Sequence, residues 1–126
     1  QLDVVKEVAR RLRERFPALR IRLNTDGLAN LVYGRDVAPE LAGLIDSVSV
    51  SLNAPDAATY ATICPNKHGE AAFPAVVAFL RSARAHLPDV QASAVTVPGL
   101  DVDAVRRLAE DEIGVRFRAR DFNEIG

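Results

Sequence analysis

The sequence predicts an α/β fold, a partial (β/α) barrel with about four parallel strands and helices on one face. Three observations lead there. The hydrophobic period along the 126 residues switches repeatedly between 3.6 and 2, so that helix and strand alternate. Every pair of strand-like runs is separated by a helical run, which leaves no place for a hairpin and implies parallel pairing through right-handed crossovers. The strand-like runs are half polar, whereas strands covered on both faces read as continuous apolar runs. With helices on the apolar face, the polar face must look into solvent or into a wet lumen, which a partly open barrel around a polar ligand supplies.

The first helix spans residues 2–16, with Val5, Val8, Ala9, Leu12 and Phe16 at helical spacing and Pro17 closing the run. Leu19, Ile21 and Leu23 then alternate with Arg20, Arg22 and Asn24 up to the turn Asp26-Gly27, a strand over 19–24. A short helix over 37–44, capped by Asp36, leads to a strand in which Val48, Val50 and Leu52 alternate with Ser47, Ser49 and Ser51. Pro55 stops that strand, and Asp56 caps a turn of helix through Ile63. Residues 70–87 form a longer helix with Phe73, Val76, Val77 and Leu80 on one face and Pro74 in its first turn. A strand over 90–97, a helix over 101–112 ended by Gly114, and a strand over 115–120 follow, with a terminal loop over 121–126.

Composition places the chain among ordinary globular domains: 48% apolar, 26% charged and a net charge of −1 argue against a disordered tail and offer nothing to nucleic acid. No apolar run reaches the roughly 18 to 20 residues of a membrane span, so no membrane partner and a cytoplasmic location are expected. The lone cysteine, Cys64, cannot alone supply a four-thiolate metal site. The absence of methionine at the first position, with a helix beginning at once, reads as a segment of a longer chain.

In parallel α/β folds ligands sit at the carboxyl ends of the strands. Those ends carry Asn24-Thr25-Asp26-Gly27, Ser51-Leu52-Asn53, Thr96-Val97-Pro98-Gly99 and Arg120-Asp121-Phe122-Asn123, whose amide, hydroxyl and guanidinium groups suit ribose hydroxyls and an amino-acid zwitterion. Residues of these types also end strands simply because they make turns. Arg116, Arg118 and Arg120 face the same side and can take a carboxylate or phosphate bidentately, Arg120 standing nearest the ligand end. His68 and Cys64, in the loop after the second strand, are weaker candidates: a loop imidazole beside Lys67 and a small side chain at a helix end.

The run Leu23-Asn24-Thr25-Asp26-Gly27-Leu28, followed by Val48-Ser49-Val50-Ser51-Leu52-Asn53-Ala54 and by Ala94-Val95-Thr96-Val97-Pro98-Gly99-Leu100, resembles the third, fourth and fifth strands of radical S-adenosylmethionine (SAM) enzymes. More narrowly, residues 24–30, 39–56 and 117–126 are similar to the radical SAM proteins associated with TatD-type nucleases. The resemblance implies that residues 1–126 are the C-terminal portion of a radical SAM barrel. Asn24 and Ser51 would then contact the SAM ribose or methionyl part, Asn53 would stand near them, Val97 would pack on adenine, and Arg120 would bind the substrate, a small molecule. It also implies a [4Fe–4S] cluster that cleaves SAM to begin radical chemistry. The Cys-x3-Cys-x2-Cys ligands of that cluster are expected upstream of Gln1, so this segment alone is expected to hold no metal and to be inactive. Asn53 stands where the family's strand motif carries an aspartate, which keeps hydrogen bonding and removes a charge.

Two other readings compete. A non-catalytic partial-barrel domain would bind an anionic small molecule through the arginine face, and a hydrolase or aldolase fragment would need metal ligands or a Schiff-base lysine, against which the chain has only Lys6 and Lys67. A piece that starts after the second strand also leaves the 19–24 edge unpaired, so self-association through that edge or the first helix is expected.

Overall fold

The computed structural model describes residues 1–122; the last part of the expected terminal loop, 123–126, lies outside the described residues. Four strands, β1 (Arg22–Thr25), β2 (Ser47–Ser51), β3 (Asp89–Val95) and β4 (Arg116–Arg120), form one sheet in sequential order with every pair parallel. Helices connect them: α1 (Leu2–Arg15) precedes β1, α2 (Ala29–Tyr33) and α3 (Ala38–Leu41) lead to β2, α4 (Ala57–Ile63) and α5 (Ala72–His86) to β3, and α6 (Val102–Arg107) to β4. The chain is therefore an α/β protein, an arc of a (β/α) barrel with its helices on the apolar side of the sheet.

The core lies between that side and α5. Val48 and Val50 of β2 and Ala92 and Ala94 of β3 are fully buried, and Val76, Phe79, Leu80 and Ala83 of α5 meet them. Burying a side chain of that size stabilises the fold by about 1.5 to 3 kcal/mol, so this helix anchors the arc. Asp56 and Asp101 cap α4 and α6 by accepting from the backbone N–H of Thr59 at 2.8 Å and of Ala104 at 3.1 Å. Residues Leu108–Ile113 continue α6 as a π-helical segment ended by Gly114 in the left-handed conformation, and the guanidiniums of Arg81 and Arg84 donate to the Glu112 and Gly114 carbonyls there.

Several elements differ from the expectation. β1 begins at Arg22, three residues later than the alternation, because β2, its neighbour, begins at Ser47; the Ile21 carbonyl accepts from both Asp46 and Ser47, and Leu19 and Arg20 have no strand beside them. The short helix α2 was not expected, and α3 ends at Leu41 rather than 44. Asp36 does not cap α3: it accepts from the Ser82 hydroxyl at 2.6 Å, while the Asn30 side chain takes the Val37 N–H at 2.8 Å. β3 starts one residue early and stops at Val95, although the Thr96 N–H still pairs with the Arg120 carbonyl. Among the described residues, no helix is long and apolar enough to cross a membrane.

Candidate functional site: a polar cavity on the strand face

The period-2 alternation puts the polar residues of all four strands on the side away from the helices, where they line an open cavity of about 370 Å³. β1 contributes Arg22 and Asn24, and β2 contributes Ser49 and Ser51. Gln91 and Ser93 come from β3, Arg118 and Arg120 from β4. Parallel register orders them into rows across the sheet. Asn24 pairs with Ser49, Ser49 with Gln91, and Gln91 with Arg116; one pleat nearer the carboxyl ends, Ser51 pairs with Ser93 and Ser93 with Arg118.

The two ends of the cavity differ. At the amino ends of β2, β3 and β4 the side chains satisfy one another: Arg116 grips Asp89 through Nε at 3.1 Å and Nη2 at 2.7 Å, and the Ser47 hydroxyl donates to the same carboxylate at 3.1 Å. Arg116 also donates to Gln91 at 3.3 Å, and Gln91 donates to the Ser49 hydroxyl at 3.1 Å. The Arg116 guanidinium holds the Asp89 carboxyl below its ordinary range. Nearer the carboxyl ends such pairing stops. Ser93 is only 4% exposed, and neither its hydroxyl nor the Arg118 guanidinium has a hydrogen-bond or ion-pair partner among the described residues. Among the described residues, guanidiniums from Arg22, Arg118 and Arg120 line the cavity and no acidic side chain does.

The structure brings Asn24, Ser51 and Arg120 into this one cavity and leaves Asn53 and Val97 out of its lining. Asn53 has the right parity, but its φ of +66° turns the chain off β2, and its side-chain amide donates to the Cys64 sulfur at 3.4 Å. Val97 sits half-buried in the turn after β3, its N–H bonded to the Val95 carbonyl at 2.8 Å. His68 lies in a separate groove with Leu28, Val32 and Tyr33, and His86 is exposed with Nδ1 2.8 Å from the Ser82 carbonyl. The alternation in the last strand already names Arg118, with Arg116 and Arg120, as an anion ligand, whereas Arg22 and Ser93 were passed over as ligand groups. The signal that points to them is the full period-2 set, because the cavity follows the whole strand face.

Donor chemistry separates the two implied cofactors. A [4Fe–4S] cluster does not fit these residues: Cys64 is the lone thiol, and among the described residues no three of His, Cys, Asp and Glu stand together to hold a metal ion. SAM fits in part. The Asn24 amide and Ser51 hydroxyl suit ribose or methionyl groups and a guanidinium suits the carboxylate, while the described lining residues offer no acid to its sulfonium and ammonium. No protein-family model, curated protein or solved structure matches the chain.

Proposed function

We propose that this chain is the SAM- and substrate-binding portion of a cytoplasmic radical SAM enzyme, similar to the radical SAM proteins associated with TatD-type nucleases. The observation that supports it best is the meeting of Asn24 and Ser51, the positions named by the sequence resemblance, in one cavity at the carboxyl-end halves of adjacent parallel strands. In this reading SAM and a [4Fe–4S] cluster supply a 5′-deoxyadenosyl radical, and the protein supplies binding, orientation and exclusion of water. Asn24 and Ser51 hold the ribose or methionyl part, Arg120 meets the substrate, and the cluster ligands and an acid for the SAM cations come from another part of the parent protein.

Two experiments test the reading. In the parent protein Asn24→Ala and Ser51→Ala should each weaken SAM binding by about 1 to 3 kcal/mol in calorimetric titration if bound SAM buries the hydrogen bond that each makes to it. Unchanged affinity in both variants removes these residues from the site. Anaerobic iron–sulfur reconstitution of the 126-residue chain should yield a colourless protein that does not cleave SAM; a brown, SAM-cleaving product contradicts the division of labour.

A further inference from the structure

We infer that the β3–β4 half of the cavity is an oxyanion-binding subsite, built from Ser93 and Arg118, that takes the phosphate or carboxylate group of a small organic anion. It goes beyond the SAM reading, which uses Asn24 and Ser51 on β1 and β2, and it stands whether or not SAM binds there.

Ser93 lies on a strand flanked by β2 and β4, is 4% exposed, lines the cavity, and has a hydroxyl without a hydrogen-bond partner among the described residues. Among the described residues no fully buried side-chain oxygen or nitrogen lacks a partner, so the Ser93 oxygen reaches the water of the cavity, and an incoming acceptor can take that water's place. The acceptor's charge follows from its neighbour. Arg118 is the register partner of Ser93 on β4, lines the same cavity and has no carboxylate partner among the described residues. Arg116, two residues earlier on the same face, is by contrast consumed by Asp89 at 2.7 Å. The pairing that neutralises the amino end of this face stops one pleat short of Ser93.

Arg22 on β1 adds a further guanidinium to the lining, and among the described residues it has no partner and no acid lines the cavity. Like charges gathered in one concave site repel one another and raise the local concentration of anions. A planar guanidinium fork presents two parallel N–H groups to the two oxygens of a carboxylate or phosphate, and the Ser93 hydroxyl adds a third donor from the adjacent strand. The ligand class is therefore an oxyanion. A cation or a neutral apolar molecule would leave these groups unmet.

The test is isothermal titration of the 126-residue chain with inorganic phosphate, pyrophosphate and succinate, in wild type and in Arg118→Gln, Ser93→Ala and Arg107→Gln variants. Arg107 is an exposed arginine at the end of α6, outside the cavity lining, and serves as the charge control. The wild type should bind at least one probe, phosphate-type against dicarboxylate identifying the source of the oxyanion. Arg118→Gln should weaken that binding roughly tenfold or more and Ser93→Ala roughly fivefold, while Arg107→Gln leaves it unchanged. No binding of any probe, or equal losses in Arg118→Gln and Arg107→Gln, overturns the inference. Arg118 is exposed, so its variant should fold, and an unchanged urea midpoint checks that it does. SAM titrated separately keeps the two proposals apart, since either ligand can fail while the other binds.

Discussion

Gly27 shows how one residue holds the sheet to the helix layer. It follows β1 with φ +78°, and a Cβ there would lie 2.9 Å from Val50 Cγ1 and 3.2 Å from Val76 Cγ1. Gly27→Ala therefore meets both backbone strain and overpacking, and should cost about 2 to 4 kcal/mol in urea denaturation. Gly34, at φ +67° with nothing within 4 Å, isolates the backbone part, and Gly34→Ala should cost only about 1 kcal/mol. Equal losses would show that the close approach is not felt. The Asp26-Gly27 turn was legible in the sequence, but its contact with Val76 was not, because that side chain arrives from α5. The same limit governs the site. Alternation alone sets Asn24 and Ser51 on the polar face, and alternation alone sets Asn53 there too; only the positive φ at Asn53, which no local pattern announces, sends its side chain to Cys64.

Helix α1 is attached differently from α5. It buries only Leu2 and Ala9 and relies on polar clamps: the Leu2 N–H to the Tyr33 hydroxyl at 2.9 Å, Lys6 to Glu40 at 3.0 Å, and Arg13 to the Leu44 carbonyl at 3.0 Å and to Asp46 at 2.7 Å. Polar ties on a half-exposed surface stabilise less than apolar burial, so α1 amides should exchange with solvent faster than those of α5; equal protection would contradict this. The clamps also set a response to acid. Hydrogen bonds from Arg35 and then Lys6 hold the Glu40 carboxyl at about 2 against an ordinary 4.5, and Arg13 depresses Asp46 in the same sense. The folded state keeps these groups ionised where the unfolded chain takes up protons. Their contribution is therefore complete above the ordinary carboxylate range and is lost as the pH falls toward about 2. Thermal midpoints should fall across that window, and Glu40→Gln should flatten part of the fall; a parallel curve in the variant would remove Glu40 from the effect. Periodicity made α1 and α5 legible. It could not reveal α2, which has no buried residue and no side-chain cap, and whose visible trace is Gly34 in the left-handed conformation at its end.

At the scale of the whole chain, the order of four parallel strands was legible because each crossover carries a helix and no connection is short enough for a hairpin. The same topology leaves β1 and β4 as edges, each with a strand on one side only among the described residues. On α1 and in the segment that leads from it to β1, Val4, Val8, Phe16 and Leu19 are 62%, 50%, 52% and 44% exposed. Exposed apolar surface and an unpaired strand edge each favour association, so the chain should sediment as a dimer or larger species at micromolar concentration, and Val8→Glu should shift it toward monomer. A clean wild-type monomer would show that this edge is stable in water. The measurement that bears most directly on function is the mapping of SAM onto the chain by backbone amide chemical shifts. Asn24, Ser49, Ser51 and their neighbours across the polar face should shift together and saturably, while residues around His68 stay unmoved. Saturable shifts confined to the His68 groove, or none on the strand face at saturating SAM, would contradict the assignment of this cavity as the SAM site.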